Sequence, residues 1–126
     1  FVETYAQEWK RLLDINLHLI HYLVKVLGLS DKKFHLASEY QSREGPTERL
    51  VDLCKLVGAE VYLSGQDGAK YLDLDEFKKE GIQVNFQRYK HPTYPQLFGD
   101  FEPYLSIVDL LFNCGPESLS ILTKGG

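Results

Sequence analysis

A chain of 126 residues, 44% apolar and 25% charged, is sized and composed for a single globular domain. Fourteen basic against eighteen acidic residues leave a net charge of −4, which argues against nucleic acid or an anionic membrane as the main partner, since both select a basic face. No apolar run approaches the ~18 residues of a bilayer span. Cys54 and Cys114 are too few for a disulfide framework, so both read as reduced thiols of a cytoplasmic protein.

The chain opens on Phe1 and contains no methionine, and nothing at its start resembles a secretion signal. It therefore reads as part of a longer protein. Trp9, Leu12, Leu13, Ile20, Leu23, Val24 and Leu27 recur at helical spacing, predicting one long amphipathic helix from about residue 2 to residue 27, with Gly28 as the stop. Asn16 falls on the apolar stripe, so it is expected to bond within the core or to point at a site. His18 and His21 stand three apart, a spacing that can share a metal, but no ligand set completes it and no metal is expected.

Phe34–Ser38 reads as a first short strand, followed by a polar loop with Gln41, Ser42, Arg43, Glu44 and Gly45. Pro46 and Thr47 open a helix carrying Leu50, Val51, Cys54 and Val57, closed by Gly58. The β-branched and aromatic run Val61–Ser64 stops at a loop holding Gly65 and Gly68. A helix from about Leu74 to Glu80 comes next; Asp73 can cap it, Glu76 can reach back, and Gly81 ends it. Ile82, Val84 and Phe86 alternate along a third strand that runs to Tyr89.

Strands alternating with helices point to parallel pairing by right-handed crossovers. The expected class is α/β: a three-layer-like parallel sheet of about three to four strands with flanking helices, preceded by the long N-terminal helix. Residues 90–105 are rich in proline and aromatics without periodicity, and loops of this length often cover or line a site. Ser106 starts a last helix, with Asp109 as a capping-box-like partner. Ile107, Val108, Leu110, Leu111 and Phe112 make it apolar nearly all round, hence buried, and Asn113, Gly115 and Pro116 end it.

In an open parallel sheet every strand ends on one edge, where ligands bind. That edge would collect Ser38, Glu39 and Arg43 from the first loop, Ser64 through Gly68 from the second, and His91, Tyr94 and Gln96 from the third. The glycine loop suits a phosphate or a developing oxyanion, because a residue without Cβ lets the backbone take positive φ and approach a bound group. The same loop can also serve turning alone. Thr47 and Arg49 can hold an anion at a helix N-terminus, or Thr47 can cap and Arg49 can pair with Glu48 or Glu44. His91 is the general-base candidate, with a solvated loop histidine as its alternative. Asp109 can carry protons or cap. Ser64, His91 and Asp109 can be assembled as a triad, but the glycine-serine-glycine elbow is absent. With no Walker-type loop, complete dinucleotide fingerprint or zinc-spaced cysteine set, the cofactor stays unknown.

With these residues in view, the chain resembles the WbqC-like family of bacterial proteins. The resemblance rests on Thr47-Glu48-Arg49-Leu50, on Tyr62-Leu63-Ser64-Gly65 with Gly68 and Tyr71-Leu72, and on Tyr94-Pro95-Gln96. It rests also on Leu105 through Asn113 with Gly115, so that most of residues 34 to 116 is covered in order. Through these motifs Tyr71 and Asn113 join the candidate substrate-binding residues. Family members are typically longer, with an N-terminal half opening on a glutamine-proline-x-tyrosine-x-proline pattern that has no counterpart here. The chain would then be the C-terminal half.

Because the family is found near genes for O-antigen and other surface polysaccharides, the resemblance implies a cytoplasmic role in making or modifying sugar precursors. Two functions stay open, beside a third reading in which residues 1 to 126 are only scaffold for an upstream active half. One is a transferase, foremost acyl or amide-forming, acting on an activated sugar or amino-sugar. Ser64, Gly65 and Gly68 would donate N–H groups, Arg49 would hold charge, and His91 or Asp109 would move protons. The other is a non-catalytic module that binds a nucleotide-sugar or a biosynthetic protein through Tyr94, Phe98, Phe101 and Tyr104. Under the first, substituting Arg49 or Gly68 is expected to abolish turnover without lowering the melting temperature.

Overall fold

The computed structural model describes residues 1–124. In chain order the elements are α1 (Val2–Ala6), α2 (Leu12–Val26), α3 (Pro46–Leu56), β1 (Val61–Ser64), α4 (Leu74–Lys79), β2 (Gln83–Phe86), α5 (Ile107–Cys114) and α6 (Ser118–Thr123). They fall into two compact units, one made of residues 1–33 and 91–124, the other of Phe34–Lys90.

The Phe34–Lys90 unit carries the α/β character. β1 and β2 pair in parallel, with Val61 opposite Gln83 and Ser64 opposite Phe86, as the crossover pattern predicts. Backbone bonds from Gln83 to Glu60 and from Gln87 to Ser64, at 2.9 and 2.8 Å, extend the ladder at both ends. The strand count differs from expectation: among the described residues the sheet has two strands, not three to four. Phe34–Ser38 forms none, because Leu36 leads directly into a 3₁₀ turn over Ala37–Glu39. A lone extended segment has no ladder for its N–H and C=O groups. Here local bonding wins instead, with His35 Nδ1 and the Tyr40 hydroxyl 2.6 Å apart.

Val51, Cys54, Leu72, Phe77 and Ile82 form the core of this unit, with Tyr62, Val84 and Phe86 packed against it. Tyr62 stacks on Phe77 with ring centroids 5.2 Å apart. Fully burying Phe77 and Val51 stabilises by about 1.5–3 kcal/mol each. Pro46 occupies the first turn of α3, where its missing N–H costs nothing. Asp73 caps α4, its carboxylate accepting from the N–H groups of Asp75 and Glu76. Glu76 does not reach back; its carboxylate pairs with Arg43 and Lys79, so the capping box is half formed. Gly81, at φ +72°, closes the helix as expected.

In the other unit the expected long helix is two helices. Gln7 and Arg11 are both extended, which separates α1 from α2. The cause is Trp9, whose indole N–H donates to the Thr4 carbonyl at 2.7 Å and satisfies an acceptor at the end of α1. No residue of α2 is fully buried and Asn16 is exposed, so Asn16 does not bond within a core. Ser106 caps α5 by accepting from the Val108 N–H, and Gly115, at φ +48°, ends it. Only Leu110 of α5 is buried while Phe112 is 77% exposed, so this helix is not enclosed as its pattern predicts. α6 extends the unit beyond the predicted end. Residues 90–105 hold no helix or strand. Among the described residues no helix is long and apolar enough to cross a membrane.

Candidate functional site

Each unit holds its own set of the residues singled out by sequence. In the Phe34–Lys90 unit, Ser64 ends β1 only 3% exposed, and its hydroxyl donates to the Gly65 carbonyl at 3.1 Å. Gly65 and Gly68 lack the positive φ expected of a loop that approaches a ligand. Gly65 has open space where a Cβ would stand; Gly68 does not, since a Cβ there would run into Ser64 Oγ and lie 3.1 Å from Leu72 Cδ1. The glycine at 68 is thus explained by close packing of the turn over Gln66–Lys70 on the strand end. Tyr71 follows that turn 63% exposed. Ser38 and Glu39 sit exposed on the turn over Ala37–Glu39, not on a strand end. Thr47 is not the cap of α3, a position Gly45 holds. Its buried hydroxyl accepts from the Asp73 N–H at 3.1 Å, tying α3 to the start of α4.

Two arginines of this unit have opposite fates. Arg43 forks onto Asp52 of α3 at 2.8 Å and reaches Glu76 of α4 at 2.9 Å. Hydrogen bonds from the Arg43 side chain, then from its backbone N–H, hold the Asp52 carboxyl down at about 2. The same guanidinium, followed by Lys79, lowers Glu76. Arg49 is exposed and, among the described residues, makes no ion pair; neither Glu44 nor Glu48 takes it. It lines an open polar hollow of about 550 Å³ with Tyr40, Gln41, Ser42, Arg43 and Glu44. No side chain caps α3 beside it.

In the other unit, Asp109 on α5 gathers the loop ahead of it. Its Oδ2 accepts from the Tyr94 hydroxyl at 2.9 Å and from Gln96 Nε2 at 3.0 Å, and its Oδ1 from Asn113 Nδ2 at 3.1 Å. Gln96 also brackets the backbone of Glu102, donating to its carbonyl and accepting from its N–H. Burial first, then the hydrogen bond to Asp109, pushes the Tyr94 hydroxyl up. The His91 ring lies against Tyr94, Phe101 and Tyr104, and its Nε2 accepts from the Tyr104 N–H at 3.2 Å. That bond puts the ring proton of neutral His91 on Nδ1.

So Tyr94, Gln96, Asp109 and Asn113 are brought together, as are Thr47 with Asp73 and Ser64 with Gly68. His91 and Asp109 belong to one unit and Ser64 to the other. The full sheet edge imagined from three strands does not form, because its first strand does not exist. Tyr40 escaped notice as a wall of the Arg49 hollow; its signal was its place one residue before the polar loop. Cys54 and Cys114 are free thiols, and burial pushes Cys54 up. Among the described residues no group of three or more His, Cys, Asp or Glu side chains is arranged to hold a metal ion.

Comparison with known proteins adds the lineage. A family model described as the WbqC-like protein family matches residues 1–121. An uncharacterized protein of Mycobacterium tuberculosis is 37% identical over 105 residues, which is 82% of this chain and 45% of that relative. The chain thus spans less than half the length of the curated relative it matches. No solved structure matches it.

Proposed function

The chain belongs to the WbqC-like protein family, and on that premise we propose that it is part of a bacterial transferase of surface-polysaccharide assembly, O-antigen included. In this proposal the whole protein moves an acyl or amide-forming group onto an activated sugar or amino-sugar precursor in the cytoplasm. The task assigned to this chain is to hold the anionic end of that precursor. The biosynthetic setting is what the family resemblance implies, and two free thiols suit a reducing compartment.

The observation that carries the proposal is the contrast between Arg43 and Arg49. Arg43 is matched by two carboxylates, whereas Arg49 faces an open polar hollow with no ion-pair partner among the described residues. The start of α3, where no side chain accepts a capping hydrogen bond, adds the positive end of the helix dipole, which the Glu48 carboxylate folded against Gly45 shares. A phosphate or carboxylate fits that combination. Calorimetric titration of the full-length protein with a nucleotide-sugar and with inorganic phosphate tests it. Arg49→Gln should weaken binding about 10- to 100-fold, the range of a charge-assisted hydrogen bond, without moving the melting temperature. Unchanged affinity in Arg49→Gln, or no binding by the native protein, removes the proposal.

One observation favours a second reading, a non-catalytic module of the same pathway. Ser64, His91 and Asp109 all spend the atoms that chemistry would need on partners within their own unit. A donor that binds through Arg49 while no acceptor is ever modified would select this reading over the transferase.

A further inference from the structure

Beside the polar hollow lies a second one of opposite character. Ala37, Tyr40, Leu50, Leu53, Val57 and Tyr62 are among the walls of an open apolar cavity of about 230 Å³. The polar atom of Tyr40 is already engaged by His35 Nδ1 at 2.6 Å. Such a wall favours hydrocarbon over water, since water needs two to four polar partners. A cavity of ~150 Å³ takes benzene, so this one takes about six to eight carbon atoms.

The two hollows are joined in the sequence and at the surface. Tyr40 lines both, and the consecutive residues Arg49 and Leu50 of α3 serve one each. Since Tyr40 is a wall of both, a ligand whose hydrocarbon part lies along Leu50, Leu53 and Val57 reaches the Arg49 hollow by passing the Tyr40 ring. The helix is built for this. Val51 and Cys54 face the core with Leu50 packed against it, and Leu50, Leu53 and Val57 carry the apolar surface of the helix on along the cavity.

We infer that the Phe34–Lys90 unit binds one small amphipathic molecule, an acyl or alkyl group of about six to eight carbons that ends in an oxyanion. This rests on the anion-holding role of Arg49 and deepens it by naming what the anion is attached to. The head is a phosphate or a carboxylate; both meet a guanidinium in the same way.

The test titrates the full chain with octyl phosphate, octanoate, octanol and inorganic phosphate, each below micelle concentration, and follows methyl NMR signals. At least one of the two amphipathic probes should bind about tenfold or more tightly than octanol and than inorganic phosphate, with shifts at Leu50, Leu53 and Val57. The tighter of the two names the head group. Val57→Phe and Ala37→Phe, both at half-exposed or exposed wall positions, should weaken that probe about tenfold and leave inorganic phosphate and the melting temperature unchanged. Arg49→Gln should bring the probe down to the level of octanol. If the amphipathic probes bind no better than inorganic phosphate, or shift methyls elsewhere, the inference fails while the Arg49 site stands. If no anion binds through Arg49, both fail together.

Discussion

Gly68 is where a functional and a packing explanation part most sharply. A Cβ at that position meets Ser64 Oγ and lies 3.1 Å from both Ser64 Cβ and Leu72 Cδ1. Forcing a methyl into a filled site costs about 1–3 kcal/mol. Restricting the unfolded chain returns about 0.4–1 kcal/mol, because Gly68 has no positive φ to protect. The net loss for Gly68→Ala is then about 1–2 kcal/mol, a fall of roughly 1 M in the urea midpoint for a slope of 1–3 kcal/mol/M. Ser64→Ala alone loses the bond to the Gly65 carbonyl, about 1 kcal/mol. In the double variant the nearest clashing atom is gone, so the two losses should fall short of additive by about 1 kcal/mol. Urea unfolding followed by circular dichroism, with amide exchange at β1 to localise the effect, measures this cycle. A Gly68→Ala midpoint equal to that of the native chain, or strictly additive losses, would show that the turn has room and that the packing account of this glycine is mistaken.

Other consequences can be checked alongside it. Asp52 titrates at about 2, below its ordinary value near 3.8, so its pairing with Arg43 is fully present above that ordinary value. Stability should drop as pH falls from about 4 towards 2, and Arg43→Gln should flatten a plot of urea midpoint against pH over that window. Tyr94→Phe removes a hydrogen bond from a buried hydroxyl to a half-buried carboxylate and should lower stability by about 1–2 kcal/mol by the same unfolding measurement. Since the Tyr94 hydroxyl is raised, its share of stability is complete below pH ~10 and is lost as pH rises above that, a loss absent from Tyr94→Phe. Glu48 folds its carboxylate against Gly45, at the start of α3. Glu48→Gln should therefore strengthen phosphate binding severalfold at low salt, the effect of removing about 1 kcal/mol of like-charge repulsion.

The α/β pairing was legible because Val61–Ser64 and the alternation of Ile82, Val84 and Phe86 are local signals of strand, and the helical segment between them leaves parallel pairing as the natural connection. Caps were legible for the same reason: Asp73, Ser106 and Gly81 act within one turn of themselves. What could not be seen depended on partners distant in sequence. Phe34–Ser38 has strand composition but runs into the 3₁₀ turn over Ala37–Glu39 and joins no ladder. Trp9 fits a helical stripe, yet its indole finds the Thr4 carbonyl and ends the helix. Asp109 sits at a capping-box position, but three side chains claim its oxygens first. Arg43 and Arg49 look alike on paper, and only the fold shows that Asp52 and Glu76 consume one of them.

That double tether on Arg43 has a thermodynamic corollary. The guanidinium and its own backbone N–H fasten the connector before α3 to two helices at once, so its shape is set when the chain folds. The ordering entropy of that connector is settled at folding, and a guest entering beside Arg49 meets a preorganised wall. Ligand affinity and acid resistance are thereby linked: protonating Asp52 and Glu76 should slacken the wall and the grip on the guest together.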